Sequence, residues 1–197
     1  MRVEQRGEWP LLHVRSASRA TELIAIDPDP DDLPAIAAHV ADDPRAMATL
    51  VTPDLAPFLA APFPGGVRVD RADETFMSTR LSPQGLPLLP GYRTRWSPDG
   101  HRMRYSVEDG RSVAAEGVVG VWGDVAVLDG IETSSRHRRR GLAAHVTDTL
   151  TAWAVSEGAA TGVLAASPQG RDLYVSLGWQ PRLAMWSWMG IARKSHI

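Results

Sequence analysis

The stretch from Val125 to Ala144, VAVLDGIETSSRHRRRGLAA, constrains this chain more than any other. Val125, Val127, Leu128, Ile131 and the β-branched Thr133 read as a buried strand. Leu142, Val146, Leu150, Trp153 and Ala154 recur at i, i+4, i+8, i+11 and i+12, one face of an amphipathic helix. Between them lies Arg138-Arg139-Arg140-Gly141-Leu142-Ala143. A helix entered this way presents unpaired backbone N–H groups and about half a positive charge at its N-terminus. Arginines surround that end, and Gly141 and Ala143 have no bulk to block close approach. Strand, basic turn and helix together describe a site for a diphosphate.

The same residues carry a family resemblance. Arg138-x-x-Gly141-x-Ala143 resembles the (Arg/Gln)-x-x-Gly-x-(Gly/Ala) signature of the GNAT superfamily of acyl-CoA-dependent N-acyltransferases. A second apolar strand follows, Thr161 to Ala166. Then comes Leu173-Tyr174-Val175-Ser176-Leu177-Gly178-Trp179, which is similar to the Leu-Tyr-x-x-Leu-Gly-(Phe/Trp) run that closes many GNAT domains. The resemblance spans roughly Gly91 to Gly190. It implies an α/β fold in which a mixed, mostly antiparallel sheet is flanked by helices. It also implies a V-shaped splay between the two central strands.

Composition narrows the alternatives. A chain of 197 residues holds one substantial core, or one domain and an elaboration. Its net charge of −2 argues against a chain-wide nucleic-acid or membrane surface. Having no cysteine, it has no thiolate nucleophile, disulfide or cysteine-ligated zinc. No pair among His13, His39, His101, His137, His145 and His196 has metal-ligand spacing, so no metal is expected and all six read as structural or exposed. No apolar run approaches the roughly 18 residues of a membrane span, and Met1 to Val14 has no signal-peptide core. A cytoplasmic protein is the default expectation.

The first 90 residues read as a helical or mixed segment, and residues 91–197 as the acyltransferase domain. Thr21 to Ile26 is a candidate strand, ended by Asp27-Pro28-Asp29-Pro30-Asp31-Asp32. Three short helices have plausible starts. Asp31 or Asp32 caps one carrying Leu33, Ile36, Ala37 and Val40. Asp43-Pro44 opens another, with Met47, Leu50 and Val51. Thr52-Pro53 opens a third, with Leu55, Phe58 and Leu59. Val67 to Leu81 reads as extended, and Ser82 to Gly91 as a connection. Tyr92 to Trp96 is a strand, Ser97-Pro98-Asp99-Gly100 a type I turn, and Arg102 to Val107 the next strand. Ser112 to Trp122 follows, broken by Gly117 and Gly120. Ser167 caps a last helix with Pro168 at its first position. Leu183 to Met189 is a final strand whose Trp186 and Trp188 share a face and are available to pair across a homodimer. The tryptophans read mostly as core, with Trp96 or Trp122 as candidates to wall an acceptor pocket.

One departure from the family pattern stands out. Two helices usually separate the first two strands of a GNAT domain and form much of the acceptor pocket. Here only Ser97 to Gly100 intervenes. The N-terminal helices, as a degenerate partner half, are expected to supply that wall.

The resemblance implies the following chemistry. Acetyl-CoA is the cosubstrate, and its acetyl group passes to a primary amine by direct attack in a ternary complex. The exposed backbone of Ile131, Glu132 and Thr133 takes the pantetheine arm. Arg138, Arg139, Arg140, Gly141, Leu142, Ala143 and Ala144 hold the diphosphate. Asp129 is the candidate base. Glu132 is its rival, facing the other side of a regular strand unless a bulge intervenes. Tyr174 is the candidate acid for the departing thiolate, or a donor to its sulfur. Ser167 stands where the family often has an Asn that touches pantetheine. By itself, Asp129-Gly130 reads as a turn pair that would split the strand. Two other classes stay open: a CoA-binding module without catalysis, and a basic-loop nucleic-acid binder. The acceptor, a small molecule or a peptide amine, is not specified.

Overall fold

A computed structural model describes residues 2–14, 18–110 and 112–192. His196 lies outside the described residues. The chain divides into two compact units, after Phe76 and again after Pro181, where the sequence alone suggested one break near Pro90. The closing residues therefore belong to the N-terminal unit.

In that unit the strands are β1 (Arg2–Arg6), β2 (Trp9–His13), β3 (Thr21–Ile26), β4 (Ala46–Thr52), the first part of β5 (Val67–Arg80) and most of β11 (Gln180–Gly190). Their order is β1-β2-β3-β4-β11-β5. β3 and β4 are parallel, and β4 and β11 antiparallel. Two short helices, α1 (Leu33–Ala38) and α2 (Ala56–Ala60), pack Leu33, Ile36 and Phe58 against Leu23, Leu50, Trp186 and Trp188.

Several expectations for this unit are corrected. Asp43-Pro44 opens no helix, because Met47, Leu50 and Val51 lie on β4. All seven residues of β4 are buried, so its apolar run shows none of the alternation that betrays a strand. Asp32 stands at the N-cap position of α1, as one of the two expected residues, but makes no side-chain capping hydrogen bond there; the 3₁₀ turn before it is capped by Asp29, whose Oδ1 accepts from Asp31 N–H while Asp32 Oδ2 accepts from Asp29 N–H. Asp54 Oδ1 accepts from Ala56 N–H at the start of α2. Trp186 and Trp188 are 6% and 0% exposed, on a strand flanked by neighbours, so the last strand is not free to pair with a second copy. The β1–β2 hairpin shows no alternation of buried and exposed apolar positions, β1 being largely exposed and β2 half-buried throughout.

The second unit contains the end of β5, then β6 (Arg93–Asp99), β7 (Arg102–Glu108), β8 (Val113–Trp122), β9 (Val125–Thr133) and β10 (Thr161–Ala166). β6 to β9 form an antiparallel meander, and β10 joins β9 in parallel. Helix α3 (Leu142–Ser156) connects β9 to β10, and α4 (Pro168–Ser176) follows β10. The β6–β7 turn is tighter than expected: Asp99 pairs with Arg102, leaving only Gly100 and His101 in the loop. Pro98 sits within β6, where an edge strand tolerates its missing donor. No helix stands between these two strands.

Leu142, Val146, Leu150 and Ala154 are fully or almost fully buried, and each leucine or valine contributes about 1.5–3 kcal/mol by burial. Gly117 does not break β8. A Cβ there would lie 2.9 Å from Ile131 Cγ1 and 3.0 Å from Leu150 Cδ1 and Val146 Cγ1, so its absence lets α3 settle on the sheet. The connection after β5 is tied to α3 as well. Asp148 accepts from Gln84 N–H (2.6 Å) and Leu86 N–H (2.7 Å), and His145 Nδ1 donates to Leu86 C=O (2.8 Å).

Candidate functional site

β9 is paired along β8 but only partly along β10. The parallel ladder holds Thr161↔Val125, Gly162↔Ala126 and Val163↔Val127, and no further pair follows among the described residues. From Leu128 onward the edge of β9 that faced β10 is open. Here, too, β9 bulges. Val118 pairs with Asp129 and Glu116 with Glu132, so Gly130 and Ile131 together oppose Gly117. Gly130 takes φ +59°, a conformation that suits glycine, and its N–H donates to Asp129 Oδ1 at 2.8 Å. Asp129-Gly130 is therefore a bulge inside a continuous strand rather than a turn.

The bulge decides the geometry of the two carboxylates. Glu116 and Val118 are two apart on a regular strand and share a face. Their partners Glu132 and Asp129 must share it too. The expectation that Glu132 faces away from Asp129 holds only for an unbulged strand, and this strand is bulged. Both residues are exposed, whereas Ile131 and Thr133 turn toward α3 and are half-buried. Thr133 Oγ1 is buried and has no hydrogen-bond partner.

The arginine-rich corner follows. A 3₁₀ turn at Ser135–His137 leads into Arg138, Arg139 and Arg140, all exposed. Arg139 takes φ +61° and Gly141 φ +75°, so the chain reverses sharply before α3 starts at Leu142. The first helical hydrogen bond runs from His145 N–H to Gly141 C=O, at 3.0 Å. Leu142, Ala143 and Ala144 precede it, and their N–H groups have no intrahelical acceptor. A Cβ at Gly141 would meet nothing within 4 Å, so the space beside the turn itself is open. Among the described residues none of Arg136, Arg138, Arg139 and Arg140 pairs with a carboxylate. Their charge stays available to an anion. Arg138 Nε donates to Thr133 C=O at 3.4 Å, joining the corner to the end of β9.

Beyond β10, Ser167 caps α4 by accepting from Gly170 N–H at 3.2 Å. Tyr174 lies on the buried side of α4 and is 7% exposed. Burial, with a smaller contribution from the negative charge of Asp129, pushes its phenol up to about 12. Asp129 therefore lies near enough for its charge to disfavour the Tyr174 phenolate. A separate cavity of 220 Å³, lined by Thr79, Arg80, Asp148 and Trp179 among others, contains none of the bulge residues.

Sequence reasoning missed three residues here. Tyr92, His137 and Asp109 form a chain of hydrogen bonds that ends on Arg140. Nothing in their spacing along the chain announces it. Trp96 and Trp122, expected mostly as core, are 47% and 87% exposed.

A mixed sheet with a bulged, splayed central strand beside an arginine-rich helix start defines the class of acyl-CoA-dependent acyltransferases. The model of the Acetyltransferase (GNAT) family matches residues 73–179, and the chain belongs to that family, whose general reaction is acetyl-CoA-dependent N-acetylation. No curated protein matches the chain by sequence. Among solved structures, it is similar to a GCN5-related N-acetyltransferase from Kribbella flavida, with 18% identity over 96% of this chain and 89% of that one, at a TM-score of 0.64. It is also similar to a GNAT-family protein from Novosphingobium aromaticivorans DSM 12444, with 19% identity over 80% of each chain and a TM-score of 0.56. A tandem GNAT protein from the clavulanic acid biosynthesis pathway shares 17% identity over 76% of this chain and 65% of its own, at a TM-score of 0.55. At these identities the likeness is one of fold. No helix among the described residues is long and apolar enough to cross a membrane.

Proposed function

We propose that the chain transfers the acetyl group of acetyl-CoA to a primary amine by direct attack in a ternary complex. The observation that carries this reading is the coincidence of three features. The β9–β10 ladder stops at Val127, the strand bulges at Gly130, and the corner at Arg138–Ala144 presents open amides and unpaired arginines. An unpaired strand edge accepts an extended chain of amide groups, as pantetheine offers. A helix start ringed by cations accepts a diphosphate. The residues present therefore fit the donor, which supplies an activated thioester.

Ile131, Glu132 and Thr133 align that arm through their backbone, and Thr133 Oγ1 lies close by without a partner. Asp129 takes the proton of the attacking ammonium, directly or through water. Gly130 N–H orients its carboxylate, and the bulge places it on the same face as Glu132. Glu132 helps to hold the incoming cation there. An N–H of the open β9 edge faces the carbonyl oxygen as charge develops on it. The new C–N bond forms, the nitrogen sheds its second proton to solvent, and the C–S bond breaks with its electron pair leaving on the sulfur as a thiolate.

Tyr174 acts on that sulfur as a hydrogen-bond donor. Its phenol, at about 12, is a much weaker acid than a thiol of about 8.5. Full transfer of its proton to the thiolate would run uphill by roughly 5 kcal/mol. A donated hydrogen bond costs nothing of the kind and still stabilises the leaving charge. Ser167, engaged as a cap acceptor, retains its own O–H for the arm.

The test is release of free thiol from acetyl-CoA across a panel of amines: polyamines, aminoglycosides, amino acids and peptide N-termini. Turnover with at least one class supports the reading. Tight binding of acetyl-CoA with no turnover on any of them supports a non-catalytic module. Salt-dependent nucleic-acid binding without affinity for acetyl-CoA contradicts the proposal.

A further inference from the structure

The arginine corner carries a strain and a staple that its family signature does not account for. Arg139 is a non-glycine residue at φ +61°, a region that residues with long side chains rarely enter. Such a conformation persists only where surrounding contacts enforce it. The contacts are present on both sides of it. Arg140 Nη1 donates to Tyr92 Oη at 3.1 Å, and Tyr92 Oη lies 2.8 Å from His137 Nδ1. One hydroxyl thus ties both ends of the tetrapeptide from His137 to Arg140. His137 is in turn held by Asp109, with Nε2 to Oδ2 at 3.0 Å.

The donors along this chain are ordered by its ends. A guanidinium can only donate, and an ionised carboxylate can only accept. With the imidazole neutral, Arg140 donates to Tyr92, Tyr92 to His137 Nδ1, and His137 Nε2–H to Asp109. Every member is satisfied in a single arrangement. Two of the anchors, Tyr92 at the foot of β6 and Asp109 in the β7–β8 turn, belong to the sheet rather than to the corner. The half-buried ring of Tyr92 packs on the core of this unit and stands edge-on to His137, with centroids 5.6 Å apart. The corner is therefore shaped before any ligand arrives.

We propose that Tyr92 is a positioning residue for the diphosphate. It holds His137 and Arg140 so that the left-handed turn at Arg139 aims the amides of the α3 start at one point. This rests on the acetyl-CoA reading above. It adds to that reading a residue 46 positions upstream of Arg138, outside the signature. Tyr92 acts through the corner and does not touch the reacting atoms. Its loss should therefore weaken ground-state binding of the nucleotide half and spare the chemical step.

The experiment compares wild type with Tyr92→Phe, which keeps the packed ring and removes only the hydroxyl. His137→Gln serves as a second variant in case the first folds poorly. Calorimetry reads the Kd of CoA, and steady-state kinetics reads KM and kcat with acetyl-CoA and with S-acetylpantetheine, which lacks the diphosphate. The expected result is a Kd and KM for the CoA donors raised about tenfold, the scale of one lost hydrogen bond. Little change is expected in kcat, and none in kcat/KM for S-acetylpantetheine. An unchanged Kd in both variants, or an equal loss with both donors, overturns the proposal while leaving the acetyl-CoA reading in place. Failure of the wild type to bind CoA at all overturns both.

Discussion

The two units follow one succession of elements and differ in what that succession leaves open. In each, an antiparallel hairpin leads to a strand, a helix, a second strand parallel to the first, and a short helix: β1 to α2 in one unit, β7 to α4 in the other. In the N-terminal unit the parallel ladder is complete, with six pairs from Thr21↔Ala46 to Ile26↔Val51. In the second it stops after three. The turn after β3 carries Asp27, Asp29, Asp31 and Asp32, whereas the turn after β9 carries Arg136, Arg138, Arg139 and Arg140. Helix α1 has 6 residues and α3 has 15. Acidic side chains repel a diphosphate, and a closed ladder offers no edge to an amide chain. Topology alone therefore does not make this kind of site. The proposed site needs a broken ladder and a cationic helix start as well, and among the described residues the second unit alone has them.

The sharpest way to break this contrast is to remove the chemistry from the second unit. Asp129→Asn is expected to lower kcat by about 10²–10⁴-fold, the range for loss of a general base, with KM for acetyl-CoA little changed. Steady-state kinetics near pH 7.5 checks it, with Glu132→Gln as the smaller comparison. A kcat within threefold of wild type would remove Asp129 from its role.

Tyr174 allows a stability test. Its folded pKa is raised above the ordinary tyrosine value, so the native state holds this proton more tightly than the unfolded chain. Stability is unaffected below about pH 10 and falls as pH rises through the folded value near 12, by roughly 2–3 kcal/mol. Burial raises Tyr105 as well, so the relevant quantity is a difference. Urea unfolding at pH 9.5 and 11.5 should show a smaller drop in Tyr174→Phe than in wild type. Equal drops would mean that Tyr174 is not enclosed as described.

Gly117→Ala tests how α3 is seated. The new methyl would meet Ile131, Leu150 and Val146 at 2.9–3.0 Å, and overpacking of this kind costs about 1–3 kcal/mol. Its urea midpoint should fall, and acetyl-CoA affinity with it, because Ile131 belongs to the bulge. The smallest effect is expected from Asp31→Arg combined with Asp32→Arg. Reversing the charge of that turn should create no second CoA site, since the β3–β4 ladder remains closed. A stoichiometry above one per chain would contradict the comparison.

The sequence disclosed the second unit far better than the first. β9, α3, β10 and α4 announce themselves through periodic apolar positions, Ser167-Pro168 at a helix start and glycines at helix ends. β4 does not, because a strand buried on both faces loses its alternation, and Met47, Leu50 and Val51 then mimic helical spacing. β1 is a polar edge strand with little apolar signal. Within the candidate site, the arginine corner and Tyr174 were open to proposal from the sequence because each lies in a short contiguous run that resembles the family's. The shared face of Asp129 and Glu132 was not, since it depends on a bulge that pairs two residues of β9 with Gly117. Nor was the Tyr92 staple, whose members Tyr92, Asp109 and His137 are brought together only by the meander.

The most direct measurement is calorimetric titration of the full chain with acetyl-CoA, repeated on Arg138→Ala combined with Arg139→Ala. The account predicts one site per chain in the wild type, with affinity weakened at least tenfold in the variant and steeply by added salt. No heat from the wild type, or an affinity that the two substitutions leave untouched, would contradict it.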